Sequence, residues 1–195
     1  MRYILASKSP RRREILANIG LEFDIITADT DESSNLQDPI KLAEELALRK
    51  GQAVFEKLSN EGTVSEEDII ISADTVVACN GEILGKPKDR EDAKRMLKLL
   101  SGNRHSVVSG VALIQNGKDY VSHSETLVYF DNISDEDIDR YINTAEPYDK
   151  AGGYGIQGFA SLWVNRIDGC YFGVVGLPVN LLNKLHQDCT GHSLI

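Results

Sequence analysis

Three arginines stand in a row at Arg11, Arg12 and Arg13, directly after Ser9-Pro10. Ser followed by Pro marks a helix start, with serine at the cap and proline at the first helical position. Three positive charges then load the helix end that favours anions. Arg12 even takes the position where a capping box puts Glu or Gln. A helix N-terminus offers free backbone amides to an anion, and arginine adds planar, permanently charged forks. The pattern is unfavourable when empty and is relieved by an oxyanion such as phosphate. The plainer reading of the same residues is a solvated basic face. At helical spacing the three cannot share one ligand. Arg11 and Arg12 are therefore the expected contacts, with Ser7 and Ser9 as hydroxyl donors and Arg13 in solvent.

A carboxylate chemistry is written into "SADTVV", residues 72–77. Asp74 interrupts an apolar, β-branched stretch, and a buried carboxylate must be paired, hydrogen-bonded, metal-bound or protonated. It reads either as a turn-forming residue at a strand end or as a general base or metal ligand at the mouth of a sheet. Glu32 lies in an earlier polar loop with Asp29 and Asp31. One or two carboxylates plus substrate phosphates are what Mg²⁺ commonly uses, so Glu32 with Asp74 is a candidate metal pair. In "LGKP", Lys86 sits between Gly85 and Pro87 on a stiffened loop, as a point charge against phosphate or as an ordinary surface lysine. Lys50 falls late in a predicted helix, where a cation suits the dipole without any ligand. "DKAGGYGIQG" (149–158) contains G-x-G-x-x-G, but a polar segment precedes it and a strand-like one follows. The dinucleotide fingerprint needs the reverse, a strand before and a helix after. A glycine-rich loop still lets backbone approach a ligand closely, and Gln157 carries a donor and an acceptor suited to a base edge.

These residues must be held by a mixed set of elements. "RYILA" reads as a strand running into a helix from Pro10 to about Gly20, and "FDIIT" as a second strand. Asp38-Pro39 opens a helix to about Leu58, with Leu42, Leu46 and Phe55 on its apolar side. Strands flank the turns Asn80-Gly81 and Asn116-Gly117, and Asp89 opens a helix to about Leu100. "SDEDIDRYIN" is a short helix capped by Ser134. "FASLWVNRI" and "YFGVV" read as late strands, Pro178 opens a last helix, and "TGHSLI" reads as a frayed tail. Strands and helices mix without steady alternation. The expectation is an α/β fold, a mixed β-sheet flanked by helices, with residues 1–195 forming one domain of two lobes around a central cleft.

Composition narrows the chemistry further. With 195 residues, 42% hydrophobic and 26% charged, the chain suits one globular domain. A net charge of -9 argues against nucleic-acid polymers as partners, so any phosphate site must be local. The three cysteines are odd in number and far apart, which fits a reduced cytoplasmic compartment rather than a disulfide framework or zinc site. No stretch approaches a signal peptide or a membrane span. P-loop, HExxH and GxSxG motifs are absent.

"LASKSPRRREIL", "SADTVV", "LGKP" and "DKAGGYGIQG", in this order, resemble the Maf family of nucleoside triphosphate pyrophosphatases, from the first strand to "VVGLP" near residue 178. The resemblance implies a two-lobed α/β fold related to the inosine-triphosphate pyrophosphatases. It implies hydrolysis of a nucleoside triphosphate to monophosphate and pyrophosphate, with Mg²⁺ or Mn²⁺. The family's catalytic base falls on Asp74. Its substrate-binding positions fall on Ser9, Arg11, Arg12, Lys50 and Lys86, its metal positions on Glu32 and Asp74, and its selectivity positions on Arg11, Thr75 and Gln157. The segment with Asp149-Lys150 and Gln157 is similar to the branch acting on dTTP and UTP, whereas another branch prefers methylated guanosine triphosphate. A homodimer is compatible with this reading and is marked by no motif. Two rivals stand beside it: a phosphohydrolase of another class, such as one acting on sugar nucleotides, and a non-catalytic nucleotide-binding regulator of cell division.

Overall fold

The computed structural model describes residues 1–194. Chain order is β1 (Arg2–Leu5), α1 (Pro10–Asn18), β2 (Asp24–Ile25), α2 (Pro39–Asn60), β3 (Asp68–Cys79), β4 (Glu82–Leu84), α3 (Arg90–Leu100), β5 (Arg104–Gln115), β6 (Lys118–Phe130), α4 (Asp135–Tyr141), β7 (Val164–Asp168), α5 (Tyr171–Val175) and α6 (Val179–Thr190). The seven strands form one mixed sheet in the order β2-β1-β3-β5-β6-β7, with β4 paired to β3 outside that path. β1 runs parallel to β2 and β3, and the other pairings are antiparallel. Local chemistry sets the boundaries. Asn80-Gly81 and Asn116-Gly117 take positive φ, as tight hairpins between twisted strands require. The side chains of Asp38, Asp89 and Ser134 accept amide hydrogen bonds at the starts of α2, α3 and α4.

The cleft follows from how β3 is paired. One edge of β3 is covered by β5 from Ile70 to Ala78. On the other edge β1 covers Asp68 to Ile71 and β4 covers Val77 to Cys79. Between them, Ser72 to Val76 face a notch in the sheet, and Asp74 and Thr75 are the half-exposed residues of that segment. Separate apolar clusters pack on either side. Leu84, Ala93, Leu97, Leu100, Phe130 and Ile138 fill one; Leu5, Leu16, Ile71, Leu177 and Leu182 fill the other.

Two glycines let α2 lie hard against the sheet. A Cβ on Gly110 would meet the Ala43 carbonyl oxygen at 2.2 Å, and one on Gly51 would meet Ser72 Oγ at 2.7 Å. Ser72 Oγ donates to the Ala47 carbonyl at 2.7 Å, tying strand to helix two residues from Asp74.

Four local expectations need correction. "FDIIT" forms a strand only at Asp24–Ile25. In "FASLWVNRI", Phe159–Leu162 is a 3₁₀ turn and β7 begins at Val164. "YFGVV" is helical, not extended: the Val174 and Gly176 amides donate back to Cys170 and Phe172, and Gly176 at φ 125 ends the turn. Its β-branched residues are a weak signal beside burial, since Val175 packs with Leu5 and Leu177. The tail is tied down rather than frayed: Leu194 is buried and its amide donates to Asn183 Oδ1 at 2.8 Å. Ile195, the last residue of that segment, lies outside the described residues.

Candidate active site

A cleft of about 890 Å³ opens at the notch, and all the residues singled out for chemistry line it: Ser9, Arg11, Arg12, Glu32, Lys50, Asp74, Thr75, Lys86 and Gln157. Neighbouring strand residues point to opposite faces, so Asp74 and Thr75 serve different sides of the notch. Asp74 faces α2. It stands mid-strand, neither at a strand end nor at the sheet's mouth, and is accessible because β1 and β4 leave that edge uncovered. Lys50 stands mid-helix rather than in the last turn, so the dipole does not explain it. The close approach of α2 instead brings Lys50 Nζ to Asp74 Oδ1 at 2.6 Å and to Glu32 Oε1 at 2.8 Å.

Thr75 faces α1. Arg12 reaches across the notch and donates to the Gly176 carbonyl at 2.9 Å, to Ser7 Oγ at 3.2 Å and to Thr75 Oγ1 at 3.3 Å. Burial pulls this guanidinium below its ordinary value, and Asp74 opposes that effect. A partly buried cation hydrogen-bonded only to neutral oxygens keeps much of its field for an incoming anion. Arg11 Nη1 contacts Asp149 Oδ2 at 3.1 Å. Arg13 is exposed, as is Lys86, which has no ion pair among the described residues. Ser9 occupies the cap position without a side-chain cap bond, and its amide instead donates to Ser7 Oγ at 3.2 Å.

Glu32 and Asp74 form the acidic pair that could hold a metal ion. Both converge on one cation already, the Lys50 ammonium, whose hydrogen bond holds the Glu32 carboxyl below the usual range while partial burial opposes the shift. The donor set therefore fits a hard divalent ion that takes its remaining ligands from phosphate and water. Among the described residues no group of three or more His, Cys, Asp and Glu forms a self-sufficient metal cage.

The glycine-rich loop does its close packing against the protein itself. A Cβ on Gly152 would press on Val77 at 3.0 Å, one on Gly155 would meet Lys150 Cε at 2.8 Å, and one on Gly158 would meet Glu146 Oε1 at 2.1 Å. Gln157 is left exposed at the cleft.

Three supporting residues carry no mark in the sequence. Arg49 donates to the backbone carbonyls of Asp31 and Ser33, on both sides of Glu32, and pairs with Glu45. Its i,i+4 spacing from Glu45 reads as a plain surface pair, and nothing local marks its reach to a distant loop. Ser109 bonds Thr75 Oγ1 at 2.8 Å and donates to the Gly173 carbonyl at 2.7 Å, which braces the Arg12 side. Glu146 sits behind the glycine-rich loop.

Comparison with known proteins identifies the family. Residues 2–189 match the family described as Maf-like protein. The chain is 49% identical over 187 residues to the dTTP/UTP pyrophosphatase of Caldanaerobacter subterraneus subsp. tengcongensis, covering 95% of this chain and 87% of that protein. It is 50% identical over 179 residues to the dTTP/UTP pyrophosphatase of Alkaliphilus oremlandii, covering 90% of each. A more distant likeness is to the Staphylococcus aureus Ham1 protein structure, at 16% identity and a TM-score of 0.48 over 67% of this chain and 72% of that one. With nearly its whole length matched, this chain belongs to the Maf family.

Proposed function

We propose that the chain is a nucleoside triphosphate pyrophosphatase acting on dTTP and UTP. One observation carries the reading. A carboxylate, Asp74, stands in the same cleft as Arg11, Arg12 and Lys86, in a chain about half identical to proteins named for that activity. In this reading Arg11, Arg12, Lys86 and the Ser9 hydroxyl bind the triphosphate, and Lys50 bridges the phosphates and the acidic pair. Asp74 accepts a proton from water as the water oxygen bonds to the α-phosphorus. The bond from that phosphorus to the bridging oxygen breaks, its electron pair leaves with pyrophosphate, and the nucleoside monophosphate remains. Glu32 and Asp74 would hold Mg²⁺ or Mn²⁺, which when bound would supply charge neutralisation at the phosphate oxygens.

Gln157 offers its amide to the pyrimidine edge, with Thr75 and Arg11 lining the same cleft. The free thiols of Cys79, Cys170 and Cys189 suit a reducing compartment, the cytoplasm. Among the described residues no helix is long and apolar enough to cross a membrane.

The test is a panel of nucleoside triphosphates with Mg²⁺ or Mn²⁺, read by separate detection of pyrophosphate and orthophosphate. Pyrophosphate from dTTP and UTP, lost on chelation, is the expected result. Orthophosphate as the first product would assign another phosphohydrolase, and tight binding without product would assign a regulator.

A further inference from the structure

Gln157 lies in the turn Gly155–Phe159, closed by the Gly158 amide donating to the Gly155 carbonyl at 3.0 Å. Behind this turn stands Glu146, outside the phosphate and metal machinery. Its Oε2 accepts from the Phe159 amide at 3.1 Å, and its Oε1 accepts from the Tyr141 hydroxyl at 3.0 Å. Tyr141 is 3% exposed and packs edge-on against Trp163, so the far end of this contact is anchored in the core. The carboxylate also occupies the space a Gly158 side chain would need, with Cδ 2.4 Å from the ideal Cβ position. From the other flank, the Lys150 stem fills the corresponding space at Gly155, and its ammonium donates to the Glu146 carbonyl at 2.8 Å.

We propose that Glu146 is a positioning residue for nucleobase selectivity, clamping the Gly155–Phe159 turn from behind and so fixing where the Gln157 amide stands in the cleft. Glu146 also borders the cleft, but both of its carboxylate oxygens are engaged by the protein, so its action runs through the turn. The two glycines that flank Gln157 are thereby explained: each makes room for the clamp. The inference rests on the reading of Gln157 as the base-contacting residue. Selectivity by hydrogen bonding depends on the placement of the partner group, and small displacements are costly.

The test compares steady-state pyrophosphate release from UTP and from GTP by the wild-type chain, Glu146→Ala, Glu146→Gln and Tyr141→Phe. Glu146→Ala is expected to raise KM for UTP about tenfold, with kcat within about twofold and the preference for UTP over GTP narrowed. Glu146→Gln keeps an oxygen for the Phe159 amide and should restore most of the preference, which loss of folding alone would not predict. Should Glu146→Ala fail to fold, Tyr141→Phe decides, with an expected rise in KM for UTP of about threefold. Unchanged KM and preference in the folded variants would overturn the proposal, and so would a fall in kcat with KM and preference unchanged. A wild-type chain that released no pyrophosphate from UTP would overturn the underlying reading, and the proposal with it.

Discussion

At the scale of single residues, the cleft separates two kinds of charge by opposite faces of one strand. Asp74 is bonded to Lys50 at 2.6 Å, and Arg12 is bonded to neutral oxygens beside Thr75. In the proposed reaction Asp74→Asn keeps the shape of the site but removes the proton acceptor, so kcat should fall about 10²–10⁴-fold in a protein of normal stability. Turnover at the wild-type rate would remove Asp74 from that role. Arg12 makes the complementary prediction. Its partly buried guanidinium is unfavourable without an anion, so adding pyrophosphate should raise the melting temperature, because a ligand that binds only the folded state stabilises it. Arg12→Ala should shrink that rise, and an equal rise in both proteins would count against phosphate contact. The acid and the arginines could be picked out from the sequence because each breaks a local rule: a carboxylate in a β-branched run, cations at a helix N-terminus. Lys50 could not be assigned from residues alone. Its role comes from a contact 24 positions away in the chain, and its own helix gives it an ordinary surface pattern.

At the scale of elements, α2 and the interrupted edge of β3 build the site together. Hairpin turns, helix caps and apolar periodicity made most element positions legible in advance, because those signals are local. The notch was not legible, since it depends on which residues of β3 two other strands happen to cover. The segment after the glycine-rich loop failed for a related reason: β-branched residues in "YFGVV" suggested a strand, and tertiary burial made them helical. The approach of α2 gives the sharpest test at this scale. A methyl on Gly110 would lie 2.2 Å from the Ala43 carbonyl oxygen and 2.4 Å from its carbon, both backbone atoms that no rotamer change can move. Gly110→Ala must therefore push the helix off the sheet. It should lower stability by about 1–3 kcal/mol in chemical unfolding. It should also lower kcat/KM disproportionately, because Lys50 and Arg49 move with the helix. Gly191, which has open space around it and ends α6 at φ 79, is the contrasting site, where Ala strains only the backbone and should spare activity. Equal effects on activity at the two glycines would show that α2 does not set the geometry of the acidic pair.

At the scale of the whole molecule, one buried titratable group ties the core to the glycine-rich loop and gives folding a pH dependence. His105 is 2% exposed, its Nε2 lies 2.6 Å from the Tyr154 hydroxyl, and its Nδ1 has no partner among the described residues. Burial lowers it from the ordinary 6.5 to about 4. Between those values the unfolded chain binds a proton that the folded chain refuses, so stability rises with pH across this window and is lost as pH falls through it. The full loss is about 3 kcal/mol, of which roughly 2 falls between about pH 7 and pH 5. The carboxylates held low by their partners, Glu32, Asp92 and Asp139, act in a different window. Their stabilisation is present above the ordinary carboxylate range and fades only as pH drops below it. The interval from neutral to mildly acidic thus lies above the carboxylates, and a His105 variant is what separates its imidazole from those of His123, His186 and His192. Urea unfolding of the wild-type chain should show a lower midpoint at pH 5 than at pH 7, and His105→Gln should flatten the difference, whatever its own stability at pH 7. The same slope in both proteins would mean that His105 takes up its proton as readily in the folded chain as in the unfolded one, and that the pH dependence arises elsewhere.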